Sequence, residues 1–241
     1  MKFKILYEDK HSLAIDKTAG IMVHPDDRQD EVTISDWLKK NYDVKGIGEA
    51  GREGIVHRLD RNTTGVLMLA KDIIAYNNFK RQFKNHTARK VYHAIVEGNI
   101  RDDIGMISLP IARAKSDFRK RTVVDMFSGD ARGEEREAIT RFKVLSRSTL
   151  PSGKSYTYVE CYPLTGRTHQ IRAHFRGIRH PIVGDDLYGS REGKDLADRS
   201  MLHAYSLTIK VPGEKEGLVE KTIVSEIPKD MKETLKKLLL K

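Results

Sequence analysis

Apolar residues recur at every second position through several short stretches of this chain, and each stretch predicts a strand. Phe3, Ile5 and Tyr7 alternate with Lys2, Lys4 and Leu6, which predicts a half-buried strand. The turn at residues 8–11 returns it along 12–15, a loop follows at 16–20, and residues 21–25 predict a third short strand. Residues 88–98 place Val91, His93, Ile95 and Glu97 on one face and Tyr92, Ala94 and Val96 on the other. Residues 138–145 and 155–163 read as two strands about the turn Pro151-Ser152-Gly153-Lys154, and 202–209 as another. Residues 65–70 break the alternation: they carry no charge and are mostly apolar, which fits a strand buried on both faces. Periodicity alone leaves a buried helix open there.

Other stretches carry the helical period. Thr33 and Asp36 have the spacing of a capping box, with Ile34, Trp37 and Leu38 on one face and Lys39 and Lys40 in the last turn. Asp72 can cap a helix to about Asn85, bearing Tyr76, Phe79, Gln82 and Phe83, with Ile73 near its start. Thr168 can cap a third, with Ile171, Phe175 and Ile178 on its apolar face and His169, Arg172, Arg176 and Arg179 on another. Gly177 and Pro181 limit its end. A short C-terminal helix rests on Met231, Leu235, Leu238 and Leu239. Residues 101–136 are the least regular part. Strands alternating with short helices, and no internal repeat or evident linker, predict a single domain over residues 1–241.

Composition narrows the class. The 241 residues are 39% hydrophobic and 32% charged, a globular core under a charged surface. No apolar run approaches the roughly 18 residues of a membrane span, and the N-terminus lacks the apolar core of a secretory signal. One cysteine, Cys161, excludes an internal disulfide and a multi-cysteine zinc site, and is compatible with a reducing, cytoplasmic setting. The net charge of +10 suits a polyanionic partner.

The densest chemistry lies at residues 54–71. Asp60 stands among His57, Arg58 and Arg61, in a loop at the mouth of the strand at 65–70. Neighbouring cations favour the charged form of a carboxylate, and an ionised, loop-borne aspartate suits a nucleophile. Two other patterns lead nowhere. Residues 46–51 match G-x-G-x-x-G but lack the preceding strand and following helix of a dinucleotide site. His57, His169 and His174 fit no zinc spacing.

The string His57-Arg58-Leu59-Asp60-x-x-Thr63-x-Gly65, followed by an apolar strand, closely resembles the catalytic motif of the RluA-type pseudouridine synthases, in which the aspartate is catalytic. Lys17-x-x-Gly20, His24-Pro25, Arg89-Lys90-Val91-Tyr92-x-Ala94-x-Val96-x-Gly98 and the stretches at 165–175 and 181–189 resemble further family segments, in the family's order. The resemblance implies an α+β fold with a mixed, largely antiparallel central sheet, flanking helices and a catalytic cleft. It implies isomerisation of one uridine in ribosomal or transfer RNA, by an enzyme expected to act as a monomer without cofactor or metal. Asp60 would be the nucleophile, attacking ribose C1′ or uracil C6, on a base flipped out of its stack. Arg58, whose planar guanidinium can stack on bases and bond phosphate, would fill the gap. Tyr92 would stack on uracil and can take part in moving the C5 proton. Arg167 would pair with Asp60 beside an anion-favouring helix start. Arg119, Lys120, Arg121, Arg172, Arg176 and Arg179 are candidate contacts to the RNA backbone. Relatives often carry an N-terminal S4-type RNA-binding domain, which is expected to be absent here.

Two rival readings remain. Asp60-x-Asn62 loosely resembles the nucleophile loop of haloacid-dehalogenase-type phosphatases, but His57-Arg58-Leu59 stands where that family needs an apolar strand, and Asn62 replaces its second aspartate. A non-catalytic RNA-binding scaffold would have no need of Asp60, Tyr92 and Arg167 together.

Overall fold

The computed structural model describes residues 1–25, 31–124, 129–213 and 217–241. In chain order its elements are β1 (Lys4–Glu8), β2 (Ser12–Lys17), α1 (Ile34–Asn41), β3 (Thr64–Ala70), α2 (Ile73–Lys84), β4 (Arg89–Glu97), β5 (Ile104–Ser108), β6 (Ile111–Ala114), β7 (Arg121–Val123), β8 (Ala131–Arg136), β9 (Ile139–Thr149), β10 (Ser155–Pro163), α3 (Gln170–Gly177), α4 (Arg191–Leu196), β11 (Leu202–Pro212), β12 (Leu218–Val224) and α5 (Lys229–Lys237). The fold is α+β, largely antiparallel sheet with few helices. The chain forms two compact units, Met1–Lys90 with Ala204–Glu226, and Val91–His203 with Ile227–Lys241.

In the first unit the strand order is β1-β2-β3-β11, with β12 beside β11. All seven residues of β3 are buried, as its uncharged run requires. Gly65 is there for space: a Cβ would sit 2.2 Å from the carbonyl oxygen of Ala204, at a φ of +111°. The cap of α1 forms as its spacing predicts, with the Thr33 hydroxyl accepting from the Asp36 N–H and the Asp36 carboxylate accepting from the Thr33 N–H. Asp72 caps α2, accepting from the Ala75 N–H at 2.8 Å. Asn78 and Gln82 of α2 both donate to the Lys210 carbonyl of β11 at 2.7 Å.

Three expectations for this unit need correction. Residues 21–25 form no strand. The carbonyls of Met22 and Val23 instead accept the N–H groups of Ile34 and Ser35, which the first turn of α1 leaves without intrahelical partners. The register of β1 shifts between Ile5 and Tyr7, which upsets the alternation and leaves Ile5 45% exposed. Asp16 and Lys17 belong to β2 and not to the loop after it.

The second unit carries the order β4-β10-β9-β5 and a separate three-stranded sheet, β7-β6-β8. Ile95, Val159, Phe175, Ile182, Met231 and Leu238 lie in one fully buried cluster. The described residues between 101 and 136 are more regular than their sequence suggests. They hold β5 to β8, whose signal is lost because the strands are short and β8 is almost entirely exposed. The six-residue α4, capped by Ser190, carried no signal either. At the C-terminus Leu239 is exposed with a φ of +56°, and Leu240 takes the buried place.

Candidate active site

Asp60 lies half-buried in the loop that leads into β3, as expected. What fixes this loop is Lys17. Its side chain is fully buried at the end of β2, and its ammonium donates to the carbonyls of Thr18 at 3.0 Å, Arg61 at 2.7 Å and Thr63 at 3.0 Å. Three donors meet three acceptors, so a buried cation is tolerated. Two of those carbonyls lie within three residues of Asp60. Gly20 adds a reciprocal pair: its N–H donates to the Arg61 carbonyl at 3.0 Å, and Arg61 Nε donates to the Gly20 carbonyl at 3.1 Å. The Thr63 N–H closes the turn on the Asp60 carbonyl at 3.1 Å. The family-like Lys17-x-x-Gly20 thus holds the backbone that carries Asp60. Pattern reading of the residues could not assign it this role, since a lysine in a loop-like stretch reads as exposed.

Arg58 is exposed, with Nη1 3.1 Å from His24 Nε2. His24 Nδ1 lies 2.9 Å from the Pro25 carbonyl, so this nitrogen carries the proton and Nε2 accepts from Arg58. The His24-Pro25 dipeptide therefore orients Arg58.

His57 is no part of the cationic surround. Its ring stacks on Phe83 at 4.4 Å, and Nε2 accepts the Met68 N–H of β3 at 2.8 Å. Burial, with the nearby Lys90 charge, pushes its pKa down to about 3. Burial also lowers Lys90, to about 8. Neither shift was visible in the order of residues.

Tyr92 and Arg167 belong to the second unit, whereas Asp60 and Arg58 belong to the first. Tyr92 is half-buried on β4 and packs against the main cluster, opposite Cys161 on β10. Burial raises the Cys161 thiol far above its usual range, so it is an inert small side chain. Arg167 is half-buried in the loop before α3, where Nε donates to the Glu137 carbonyl at 3.1 Å. Its own N–H donates to Gln170 Oε1 at 3.0 Å, and Gln170 Nε2 in turn donates to the Ile139 carbonyl at 3.0 Å.

Here two expectations fail. Thr168 does not cap α3. The capping position is His169, left-handed at φ +57° and without a side-chain cap bond, while the buried amide of Gln170 reaches back to fasten the loop. Arg172 is not presented to an external phosphate. It is 5% exposed and forked onto Asp185, with Nε–Oδ2 at 2.6 Å and Nη2–Oδ1 at 2.8 Å, and it also meets Asp186 at 3.0 Å. Helical spacing put it on the face of Arg176 and Arg179, but the long buried loop after α3 covers it. Arg176 and Arg179 are exposed. Arg119 is exposed and bound to its neighbour Asp117, which it holds down at about 2. Lys120 and Arg121 are half-buried.

Comparison with known proteins agrees with these motifs. Residues 11–176 match the RNA pseudouridylate synthase family. A relative from Synechocystis, called an uncharacterized RNA pseudouridine synthase, is 38% identical over 86% of this chain and 61% of its own length. The ribosomal large subunit pseudouridine synthase D of Borreliella burgdorferi is 36% identical over 93% of this chain and 65% of its own. This chain thus spans less than two thirds of either relative. Among solved structures, human RNA pseudouridylate synthase domain containing 4 superimposes with a TM-score of 0.73 at 27% identity, over 98% of this chain and 93% of that one. The chain belongs to the RNA pseudouridylate synthase family.

Proposed function

We propose that this chain isomerises a specific uridine to pseudouridine in structured RNA, with Asp60 as the nucleophile. The observation that carries this reading is the Asp60 loop itself, a half-buried carboxylate on a backbone clamped by the buried ammonium of Lys17. The bond between uracil N1 and ribose C1′ breaks, the base turns, and C5 joins C1′ while its proton leaves. The product is an isomer, so the chain's own groups suffice. A nucleophile that must meet one atom of a flipped base needs a fixed backbone more than a mobile one. Arg58, oriented by His24, fills the space that the flipped nucleotide vacates. Tyr92 stacks on the uracil and helps move the C5 proton. Arg167 supplies the cation that keeps the site favourable to anionic groups.

The relative named for the large ribosomal subunit makes its RNA the first substrate to examine, with transfer RNA as the second. We place the enzyme in the cytoplasm and acting as a monomer. The test is single-turnover conversion of unmodified ribosomal and transfer RNA transcripts, with pseudouridine read by mass spectrometry. Asp60→Asn is expected to lower the rate by about 10³-fold or more, with RNA still bound. Near-normal product from that variant would reject Asp60 as nucleophile.

A further inference from the structure

Three arginines stand abreast on the small sheet of the second unit. Arg113 on β6 is the register partner of Arg121 on β7 and of Arg132 on β8. Register partners in antiparallel pairs project from the same face, and like charges so placed repel. The row lines a concavity of about 470 Å³, and Arg136 and Arg167 line it too. Among the described residues, five guanidiniums line it against one carboxylate, Glu134, which already pairs with Arg136 at 2.8 Å. Among the described residues no carboxylate pairs with Arg113 or Arg132, both of which are exposed. A merely solvated basic face would intersperse the two signs or splay its charges outward. Here they converge.

The lining also says what the site would grip. Its volume falls in the range of ligand pockets, roughly 300–1,000 Å³. Among the described residues it is lined by no aromatic ring, and its apolar side chains are those of Ile111 and Ala112, so its grip comes from the guanidiniums and not from an aromatic platform. Guanidinium forks match phosphate oxygens. The frame is braced from behind: the Tyr188 hydroxyl accepts the Arg121 N–H at 2.7 Å, and Arg172, held by Asp185, lies 5.1 Å over the Tyr188 ring. This gives the buried Arg172 a place in RNA binding that it reaches through Tyr188 and not by touching phosphate.

We infer that this arginine basin is a phosphate seat holding the ribose–phosphate backbone of the RNA beside the nucleotide engaged by Arg167, whatever its base sequence. The inference rests on the reading of the chain as an RNA-modifying enzyme, yet its test reads binding alone.

The probe is a fluorescein-labelled twelve-nucleotide oligouridylate, titrated across a salt series. Two single-strand phosphate contacts are worth a slope change of about 1.4 in log affinity against log salt. Arg113→Gln/Arg132→Gln should flatten the slope by that amount, whereas Lys229→Gln, on the exposed start of α5, should not. An unchanged slope in the double variant, or an equal change in Lys229→Gln, overturns the seat. Should the double variant misfold, phenylglyoxal labelling of the unaltered protein decides. Oligouridylate should protect Arg113 and Arg132 but not Arg191 of α4. Equal labelling with and without RNA, or protection by inorganic pyrophosphate as strong as by RNA, overturns it. If no transcript is ever isomerised while the slope and the protection behave as stated, the catalytic reading fails and the seat survives.

Discussion

Lys17, fully buried, and His57, half-buried against Phe83, show two ways of holding a titratable side chain beside a reactive loop. The Lys17 ammonium donates to three carbonyls, which take the place of water around it. His57 gives its charge up, since its ring is packed on Phe83 and its one accepting nitrogen is used by Met68. The consequence is a pH dependence of stability. In the unfolded chain the imidazole titrates near 6.5, and in the fold at about 3. Between those values the unfolded chain binds more protons, so this contribution is complete above about pH 6.5 and is lost as the pH falls toward 3. The full loss is on the order of a few kcal/mol. His57→Gln keeps an acceptor for the Met68 N–H but has no proton to take up. Its urea midpoint should therefore fall less than the wild type's between pH 7 and pH 4.5. Parallel declines in the two proteins would show that His57 is not the titrating group. At this scale the sequence was readable where a motif was contiguous, as at 57–65. It was silent on charge state, because Phe83, Lys90 and Met68 reach His57 only through the fold.

Elements were legible when their signals were local. Thr33 with Asp36, and Asp72 ahead of Tyr76 and Phe79, specify α1 and α2 with the caps that form. The uncharged run at 65–70 specifies β3. Where an element is set by what it meets, the pattern misled. Residues 21–25 have strand composition, but α1 takes their carbonyls. Four of the six residues of β8 are charged, and its pairing with β6 follows from no period in its own residues. Gly65 sits between the two cases: its place in the motif is visible, while its reason is the backbone of a strand nearly 140 residues later. Gly65→Ala would push a methyl group to 2.2 Å from the Ala204 carbonyl oxygen, at a φ that side chains avoid. Moving β3 or β11 apart would also strip ladder bonds in a layer with no exposed residue on β3. The expected cost is about 3 kcal/mol or more, by urea unfolding, with turnover falling as the Asp60 loop shifts. A cost under about 0.5 kcal/mol, that of an ordinary surface change, would mean that the close approach is not a constraint.

Over the whole chain, each compact unit is built from two separated segments. The β11–β12 hairpin of the first unit follows the main part of the second in sequence, and the last fifteen residues return to the second. No local pattern announces such a division, and the even run of strands and short helices reads as one domain. Its energetic meaning is clearest at the C-terminus. The period of Met231, Leu235 and Leu238 was readable, but their partners were not. Met231 and Leu238 are fully buried in the same cluster as Ile95 and Val159, and Leu240 is 6% exposed. Asp230 forks onto Arg199, which is 6% exposed, at 2.6 and 2.9 Å. Ser148 donates to the Leu238 carbonyl. Ending the chain at Glu226 would remove three buried apolar side chains at about 1.5–3 kcal/mol each. It would also leave Arg199 buried without its carboxylate, a loss of about 3–5 kcal/mol that half-exposure of Asp230 reduces. The sum is comparable with the 5–15 kcal/mol that holds a typical domain together. The truncated chain should therefore lose its cooperative thermal transition and the near-ultraviolet signal of Tyr156 and Tyr158, both buried in that cluster. Asp230→Asn alone should keep the transition at a lower midpoint. A cooperative melt in the truncated chain at the full-length midpoint would show that the second unit is complete without its returning segment.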